Sequence, residues 1–321
     1  MCRNLTGSSY RILLWGVRTA CVPALNTDEF MEGKTVEYVK LANSVEIPKI
    51  GYGVFQISKD DAPRCVREAI ETGYRHIDTA QSYFNEAEVG QGIKDSGIDR
   101  KDLFLTTKIW ISNYGYENTL RSVDVSLKKL GTDYLDLVLL HQPFSDTYGA
   151  WRALEKLYKD GVIRAIGVSN FYPDRLADMV AFNEIAPMAD QVETNPLNQQ
   201  IEARKNMVKR GVAQEAWAPF GEGMQNMFSN PTLARIGEAH GKSVAQVILR
   251  WLTQRDIVAL PKSTHKERME ENLNIFDFRL SDSEMATIAG LDTKTSMFFR
   301  HDTPEAVDRF VGYVKERAGR E

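Results

Sequence analysis

The feature that most constrains the fold is a regular alternation of strand-like and helix-like segments from Val36 onward. Short apolar runs alternate with segments whose apolar residues recur at helical spacing, and glycines such as Gly73, Gly131 and Gly161 end several of the helical segments. This alternation predicts parallel strands joined by right-handed helical crossovers. We count eight strand candidates, the last at 257–261. Eight units favour an α/β fold of the closed (β/α)8, or TIM-barrel, type over an open doubly wound sheet.

Segments at both ends of this pattern depart from the simple repeat. Residues 36–41 and 45–47 predict a β-hairpin before the first unit. Late in the chain, helical patterns at 233–240 and from Val244 follow one another without a strand between them. We therefore expect helices in addition to those of the repeat.

The C-terminal part of the chain predicts two more helices. Ser281 and Glu284 have the spacing of a capping box, which marks the start of a helix. The tail carries adjacent phenylalanines and then a helical pattern at 304–317. Because this aromatic tail, residues 293–321, follows the last strand, we expect it to lie near the open face of the barrel.

Composition excludes several classes of function. The chain has 321 residues, is 43% hydrophobic and carries a net charge of −4 without a basic stripe, so we expect no nucleic-acid partner. Its three cysteines show no disulfide framework and no metal-ligand spacing, so we expect no metal. No apolar run approaches the length of a membrane span. We expect a cytoplasmic protein without a membrane partner.

The first thirty residues differ from the rest of the chain. Arg3, Arg11 and Arg18 surround a short apolar run at 12–16, and Arg18 interrupts what a secretory signal would need. Met31 begins a stretch that resembles an ordinary start. We interpret residues 1–30 as a poorly ordered or misassigned extension and 31–321 as a single barrel domain.

Four polar residues lie at or just beyond the ends of predicted strands: Asp78, Tyr83, Lys108 and His141. The carboxyl ends of barrel strands open on one face, so residues distant in sequence converge there. A tyrosine of pKa about 10 is a poor acid near neutrality, but a nearby ammonium lowers that pKa. Asp78 would hold Lys108 in its charged form, and His141 would hydrogen-bond a substrate oxygen. Together they suit protonation of an alkoxide that forms from a carbonyl.

Each of these four residues also has a purely structural explanation. Asp78 can cap a turn, Tyr83 can be a loop aromatic, Lys108 can extend from a strand end to solvent, and His141 can be a hydrogen-bonded core histidine. Their common position on one predicted face is what favours catalysis.

Carbonyl reduction needs a hydride, which no side chain supplies and a nicotinamide cofactor does. The glycine fingerprint of dinucleotide-binding folds is missing, since the segment 51–56 lacks its third glycine. Lys262, Ser263 and Thr264 follow the last strand, and Arg268 comes soon after. This segment can hold a phosphate monoester, although a solvated polar loop is the alternative interpretation.

These motifs together resemble the aldo-keto reductase superfamily. The similar segments are Lys108 and the runs 78–86 (DTAQSYFNE), 139–141 (LLH), 167–171 (GVSNF), 191–196 (QVETNP) and 260–264 (LPKST). The resemblance covers about 36–291 and looks closest to the bacterial branch of 2,5-diketo-gluconate and aldehyde reductases. It implies a barrel closed at its base by the N-terminal hairpin, with two extra helices, and NADPH-dependent reduction of aldehydes and ketones.

The resemblance also implies a role for each site residue. Tyr83 would be the general acid, tuned by Lys108 and Asp78, and His141 would orient the carbonyl. Ser169, Asn170 and Gln191 would hold the nicotinamide carboxamide, on whose ring Trp217 would stack. Lys262, Ser263 and Arg268 would grip the 2′-phosphate, which favours NADPH (NADP+) over NADH, and Glu271 and Asn272 would face the adenine. The other implied cofactor contacts are Gly53, Val54, Phe55, Ala218, Phe220 and Thr264.

The substrate pocket is expected to be aromatic. Phe55, Phe84, Trp110, Trp217 and Phe298 or Phe299 would line it, although core packing is the alternative for any single aromatic residue. Such walls suit small aldehydes, α-dicarbonyls and ketones, and no charged clamp for a particular acid is evident. Phe55 stands where many members of the family have tryptophan, and Glu222 adds a negative charge to the loop expected around the pyrophosphate.

Two other classes of function compete with a reductase. One is a cofactor-sensing regulatory protein of the same fold, which would bind NADPH tightly with little turnover. The other is a metal-dependent hydrolase with Asp78 and His141 as ligands, a role in which a lysine and a tyrosine fit badly. The expected partner is a small carbonyl compound, and the expected state is a monomer.

Overall fold

The computed structural model describes residues 36–317. The boundary expected near residue 30, and the disorder expected before it, lie outside these residues. Eight parallel strands form one sheet in which each strand pairs with its sequence neighbour. They are β3 (Tyr52–Gly53), β4 (His76–Asp78), β5 (Phe104–Ile109), β6 (Leu137–Leu140), β7 (Ile166–Ser169), β8 (Ala189–Glu193), β9 (Ala213–Trp217) and β10 (Ile257–Ala259).

The sheet closes on itself through the segment at β3. The amide of Gly51 donates to Ala259 O at 2.9 Å, and the amide of Ala259 donates to Lys49 O at 2.8 Å. Gly51 is required at this junction, since a Cβ there would lie 2.4 Å from the His76 ring. The predicted (β/α)8 barrel is therefore confirmed.

Helices follow the strands as the alternation predicts. Those after β3 to β8 are α1 (Ala62–Thr72), α2 (Glu86–Ser96), α3 (Tyr116–Leu130), α4 (Thr147–Lys159), α5 (Pro173–Phe182) and α6 (Ile201–Lys209). Two helices without an intervening strand, α7 (Pro231–His240) and α8 (Val244–Gln254), separate β9 from β10, as predicted. After β10 come α9 (Lys266–Leu273), α10 (Asp282–Ala289) and α11 (Pro304–Arg317).

Local sequence signals explain where several of these helices end and begin. Gly97 and Gly131, at φ of 69° and 67°, end α2 and α3 in the left-handed conformation that glycine adopts at least cost. The capping box predicted at Ser281 and Glu284 is formed at the start of α10. Strand β7 begins at Ile166, and before it Ile163 forms an isolated parallel bridge with Leu135.

The N-terminal hairpin, β1 (Tyr38–Lys40) and β2 (Glu46–Pro48), lies at the amino ends of the barrel strands. Asn43 donates to Arg164 O at 2.8 Å, just before β7, and Lys49 pairs with Asp256 at 2.7 Å, just before β10. The hairpin thus covers the base of the barrel and leaves the carboxyl ends of the strands for the site. No helix within 36–317 is long and apolar enough to cross a bilayer.

Candidate active site

The four predicted catalytic residues meet at the carboxyl ends of β4, β5 and β6. Lys108 Nζ lies 2.5 Å from Asp78 Oδ1 and 3.3 Å from Tyr83 Oη, and it donates to Thr79 O at 3.0 Å. The ring of His141, the residue after β6, lies 5.8 Å from the ring of Tyr83. Lys108 is fully buried. The barrel therefore brings together side chains that are far apart in sequence.

Burial and neighbouring charges set the protonation states of Lys108 and Tyr83. Burial alone would lower the pKa of Lys108, but Asp78 and Tyr83 outweigh it and leave this pKa above its ordinary value. Burial raises the pKa of Tyr83, and Lys108 opposes this rise without reversing it. The ammonium therefore acts on the tyrosine pKa in the expected direction, but burial is the larger cause and makes the net shift upward. Tyr83 is a neutral phenol near pH 7, with an ammonium beside it that stabilises the phenolate.

His141 is also uncharged near neutrality. Burial, together with the positive charges of Lys108 and Arg317, holds the pKa of His141 well below its usual value. Its Nδ1 lies 3.3 Å from Ser82 Oγ. When the Ser82 hydroxyl donates to Nδ1, the ring proton resides on Nε2, where it can be donated to a substrate oxygen.

A buried glutamate, which the sequence analysis did not single out, extends this cluster into the barrel. Gln191 Nε2 donates to Asp78 Oδ2 at 2.9 Å and to Glu215 Oε2 at 3.0 Å. Burial, and then the charge of Asp78, raise the pKa of Glu215 to about 8. His76, Asp78 and Glu215 place possible ligand atoms within 4.8 Å of one another. The ammonium of Lys108 already neutralises Asp78, which disfavours a metal cation at this position.

Replacing Glu215 with glutamine should stabilise the protein increasingly as the pH rises. The carboxyl group titrates near its ordinary pKa of 4.5 in the unfolded chain and near 8 in the folded protein. Its burial therefore lowers the free energy of unfolding above pH 4.5, and this loss reaches its full size above about pH 8. Each pH unit in this interval is worth about 1.4 kcal/mol, so Glu215→Gln should gain on the order of 3 kcal/mol near pH 7 relative to its effect near pH 4.

Urea unfolding at both pH values measures this difference. Glutamine keeps the acceptor for Gln191, and Glu238→Gln, an exposed position on α7, serves as the matched control. Equal effects of Glu215→Gln at both pH values would show that Glu215 is ionised in the folded protein.

The residues expected to hold a nicotinamide form a connected network beside the cluster. Ser169 Oγ donates to Gln191 O at 2.8 Å, Asn170 Nδ2 donates to His141 O at 3.1 Å, and Trp217 Nε1 donates to Asn170 Oδ1 at 2.9 Å. Gln191 Oε1 accepts no hydrogen bond from another residue of 36–317, so it is available to a bound group. The ring of Phe298 lies 5.1 Å from that of Trp217, which brings the tail to this face.

The segment expected to hold a phosphate provides two cations. Lys262 and Arg268 are exposed, and neither makes a hydrogen bond or ion pair with another residue of 36–317. Ser263 is buried, and its hydroxyl is paired with the backbone of His265 at 3.1 and 3.2 Å. The cations are thus better placed than the serine to meet a phosphate.

The other residues expected to contact the cofactor differ in their burial and in the contacts that they already make. Asn272 is buried and pairs with Tyr74, whereas Glu271 and Thr264 are half-buried. Gly53 pairs with Asp78 in the sheet, and the amide of Val54 donates to Asp78 O at 3.1 Å. These two therefore lie directly beside the cluster.

The loop expected around a pyrophosphate follows β9. Ala218 has φ of 46°, and Gly221 and Gly223 have φ of 54° and 77°. The ring of Phe220 packs 5.4 Å from that of Phe228. Glu222 is exposed, so its charge is solvated.

Aromatic side chains surround the entrance to the cluster. The ring of Phe55 lies 5.0 Å from that of Tyr83, and the ring of Trp110 lies 5.3 Å from that of His141. Gln81 holds the Trp110 segment to the Tyr83 segment, because its Oε1 accepts from Trp110 N at 3.0 Å. Phe84 has φ of 58°, a conformation unusual for a bulky residue and of the kind found at functional sites.

A cation, Arg317, also lies at this entrance. Arg317, at the end of α11, places its guanidinium carbon 4.5 Å from the ring centre of Trp110 and 5.2 Å from that of Phe84. No sequence signal identifies this contact, because it depends on the path of the tail. Glu215 could have been noticed, since Gln214 and Glu215 are polar residues inside an otherwise buried strand.

Comparison with known proteins identifies the family of this chain. The model of the Aldo/keto reductase family matches residues 49–293. Glyoxal reductase of Bacillus subtilis is 49% identical over 256 residues, which cover 79% of this chain and 92% of the relative. Morphine 6-dehydrogenase of Pseudomonas putida is 44% identical over 277 residues, which cover 82% and 93%.

Similarity to a solved structure extends to the whole barrel. The crystal structure of a Bombyx mori aldo-keto reductase in complex with NADP superimposes with a TM-score of 0.80 at 32% identity, and the match covers 85% of this chain and 99% of that one. With the family model matched over most of the chain, the protein belongs to the aldo/keto reductase family of oxidoreductases.

Proposed function

We propose that this protein reduces aldehydes and ketones to alcohols with NADPH, and that Tyr83 donates the proton. The observation that carries the proposal is the 3.3 Å separation of Lys108 Nζ and Tyr83 Oη at the open end of the barrel. Burial keeps Tyr83 protonated near pH 7, so the phenol is ready to act as an acid.

The ammonium of Lys108, which is charged before the reaction begins, assists the proposed proton transfer. As the carbonyl oxygen gains electron density, His141 donates a hydrogen bond to it from a neutral imidazole. Tyr83 then gives up its proton, and the resulting phenolate is stabilised by Lys108. Asp78 keeps Lys108 charged throughout, at 2.5 Å. Because Lys108 is buried, this stabilisation acts at low dielectric, where it is strongest.

The residues present fit a nicotinamide cofactor. A bound NADPH supplies the hydride. Ser169, Asn170 and Gln191 would hold its carboxamide, and Trp217, half-buried beside them, would stack on the ring. The exposed Lys262 and Arg268 would bind the 2′-phosphate, for which two cations are suited. The Bombyx mori relative in complex with NADP supports the same choice.

Small and apolar carbonyl compounds are the proposed substrates. Trp110, Phe84 and Phe55 form aromatic walls beside Tyr83 and His141. The similarity to glyoxal reductase supports α-dicarbonyls and short aldehydes.

The direct test is to mix the purified protein with NADPH and an α-dicarbonyl such as methylglyoxal, and to follow the loss of NADPH absorbance. We expect turnover at a rate typical of enzymes, about 1–10³ per second at saturation. Tight NADPH binding without turnover on a panel of aldehydes and ketones would instead indicate a cofactor-sensing protein.

The proposed contacts of Lys262 and Arg268 with the 2′-phosphate can be tested by substitution. Lys262→Met combined with Arg268→Ala should lower kcat/KM for NADPH by about 10²-fold or more, the size expected for two lost charge-assisted contacts, and should change kcat/KM for NADH by less than about threefold. Lys101→Met, an exposed lysine before β5 at the base of the barrel, is the control. Equal use of NADPH and NADH by the unaltered protein would exclude the assignment.

A further inference from the structure

Strand β3 holds the segment 260–264, which is proposed to bind the 2′-phosphate, through backbone carbonyl groups of that segment. Gly53 N donates to Pro261 O at 3.1 Å. The phenol hydroxyl of Tyr52 donates to Ser263 O. The first of these hydrogen bonds joins two backbones, whereas the second depends on the side chain at position 52. The identity of this residue therefore affects how the segment is held.

Tyr52 is fixed in position by complete burial. It is 0% exposed, and its ring packs edge to face against that of Tyr74, with the ring centres 5.5 Å apart. The Cys65 thiol on α1 lies beside the same hydroxyl, and burial raises the pKa of Tyr52 far above its ordinary value. The hydroxyl therefore stays protonated at neutral pH and has no access to bulk water as an alternative partner.

The hydrogen bond to Ser263 O controls which groups this segment presents to a ligand. A carbonyl oxygen carries partial negative charge, so a free one beside a phosphate repels it, whereas one bound to the barrel wall is held away. Lys262 is exposed next to it and makes no hydrogen bond or ion pair with another residue of 36–317. The Ser263 hydroxyl accepts from His265 N at 3.1 Å, where α9, the helix of Arg268, begins. Holding Ser263 thus fixes the position of both cations.

We propose that Tyr52 is a positioning residue for recognition of the 2′-phosphate, because its hydroxyl holds the segment 260–264 in the shape that lets Lys262 and Arg268 discriminate NADPH from NADH. The proposal rests on the proposed function and deepens it. Tyr52 acts through Ser263 and not on the reacting atoms. Its removal should therefore change the cofactor preference and leave the chemical step unchanged.

Tyr52→Phe removes the hydroxyl and keeps the ring. We expect the ratio of kcat/KM for NADPH to kcat/KM for NADH to fall about fivefold or more, since the hydrogen bond that holds Ser263 O is lost. The change should lie in the KM for NADPH, with kcat at saturating NADPH within about twofold of the unaltered protein. A loss of stability alone would lower both kcat/KM values together. An unchanged ratio in this variant would overturn the proposal.

Tyr114→Phe is the matched control. Its buried hydroxyl likewise donates to a backbone carbonyl, Gln142 O at 2.8 Å, on the loop after β6. This variant should keep the cofactor ratio, and an equal fall in it would show a general effect of losing a buried hydroxyl and exclude a specific role for Tyr52. Tyr52→Met also lacks the donor, and its flexible side chain adapts to the space, so it repeats the measurement if Tyr52→Phe does not fold.

A combined variant tests whether Tyr52 acts through the phosphate contacts. In protein that already carries Lys262→Met and Arg268→Ala, adding Tyr52→Phe should leave the ratio of the two kcat/KM values unchanged, because no phosphate contact remains to be positioned. If the ratio falls by the same factor in this background as in the unaltered protein, Tyr52 acts independently of the two cations and the proposal is wrong.

Calorimetry with adenosine 2′,5′-bisphosphate and with adenosine 5′-monophosphate separates this proposal from the proposed function, since neither probe needs a carbonyl substrate. Tyr52→Phe should weaken binding of the bisphosphate about fivefold or more and leave the monophosphate within about twofold. This result supports the proposal even if no carbonyl compound is reduced. If carbonyl compounds are reduced with NADPH but Tyr52→Phe binds the bisphosphate as tightly as the unaltered protein does, the positioning role is excluded and the reductase assignment stands.

Discussion

Tyr83→Phe should lower kcat for carbonyl reduction by about 10²–10⁴-fold, the usual contribution of a general acid. The substitution removes only the hydroxyl that lies 3.3 Å from Lys108 Nζ. Lys108 keeps its contacts with Asp78 and Thr79, so we expect the free energy of unfolding to change by no more than about 1 kcal/mol. NADPH binding should persist, since Tyr83 is not among the residues proposed to hold the cofactor.

Steady-state kinetics, fluorescence titration with NADPH and urea unfolding together measure these three quantities. Tyr134→Phe is the matched control, because its hydroxyl donates to Arg100 O at 3.2 Å near the base of the barrel. It should retain full activity. A Tyr83→Phe variant with a rate within tenfold of the unaltered protein would assign the proton to another donor.

Lys108→Met should reduce both activity and stability. Asp78 is 3% exposed, and without the ammonium it remains as a buried carboxylate held mainly by Gln191. Breaking a buried ion pair from one side costs about 3–5 kcal/mol, a large share of the stability of an ordinary domain. Turnover should also fall, since the phenolate of Tyr83 loses its stabilising charge.

A second substitution separates the two effects of Lys108→Met. Asp78→Asn added to Lys108→Met removes the orphaned charge, so the double variant should recover much of the lost free energy of unfolding but none of the activity. Urea unfolding and kinetics of the two single variants and the double variant form the cycle. If the double variant is as unstable as Lys108→Met alone, desolvation of Asp78 is not the source of the loss.

The barrel and the catalytic cluster follow from local patterns in the sequence. The alternation of apolar periods predicts the strand order, and the strand ends then predict that Asp78, Lys108 and His141 meet. The prediction succeeds because, in a barrel of parallel strands, the carboxyl ends of all strands lie at the same end of the barrel. Residue identity at strand ends is therefore informative, even over long separations.

Other parts of the site depend on three-dimensional packing and could not be predicted in the same way. The net direction of the Tyr83 pKa depends on burial competing with Lys108, which only coordinates reveal. The burial of Ser263 and Asn272, and their contacts with His265 and Tyr74, are likewise set by packing. The approach of Arg317 to Trp110 depends on how the tail turns after residue 293.

The most direct test of the mechanism is the pKa of Tyr83 in the folded protein, measured by NMR of isotope-labelled tyrosine with NADP+ bound. The Tyr83 resonance is assigned by its loss in Tyr83→Phe. We predict that Lys108→Met raises this pKa by about one unit or more, because an ammonium 3.3 Å from the hydroxyl favours the phenolate. The same pKa in both proteins would contradict the account, since Lys108 would then exert no control over the proposed proton donor.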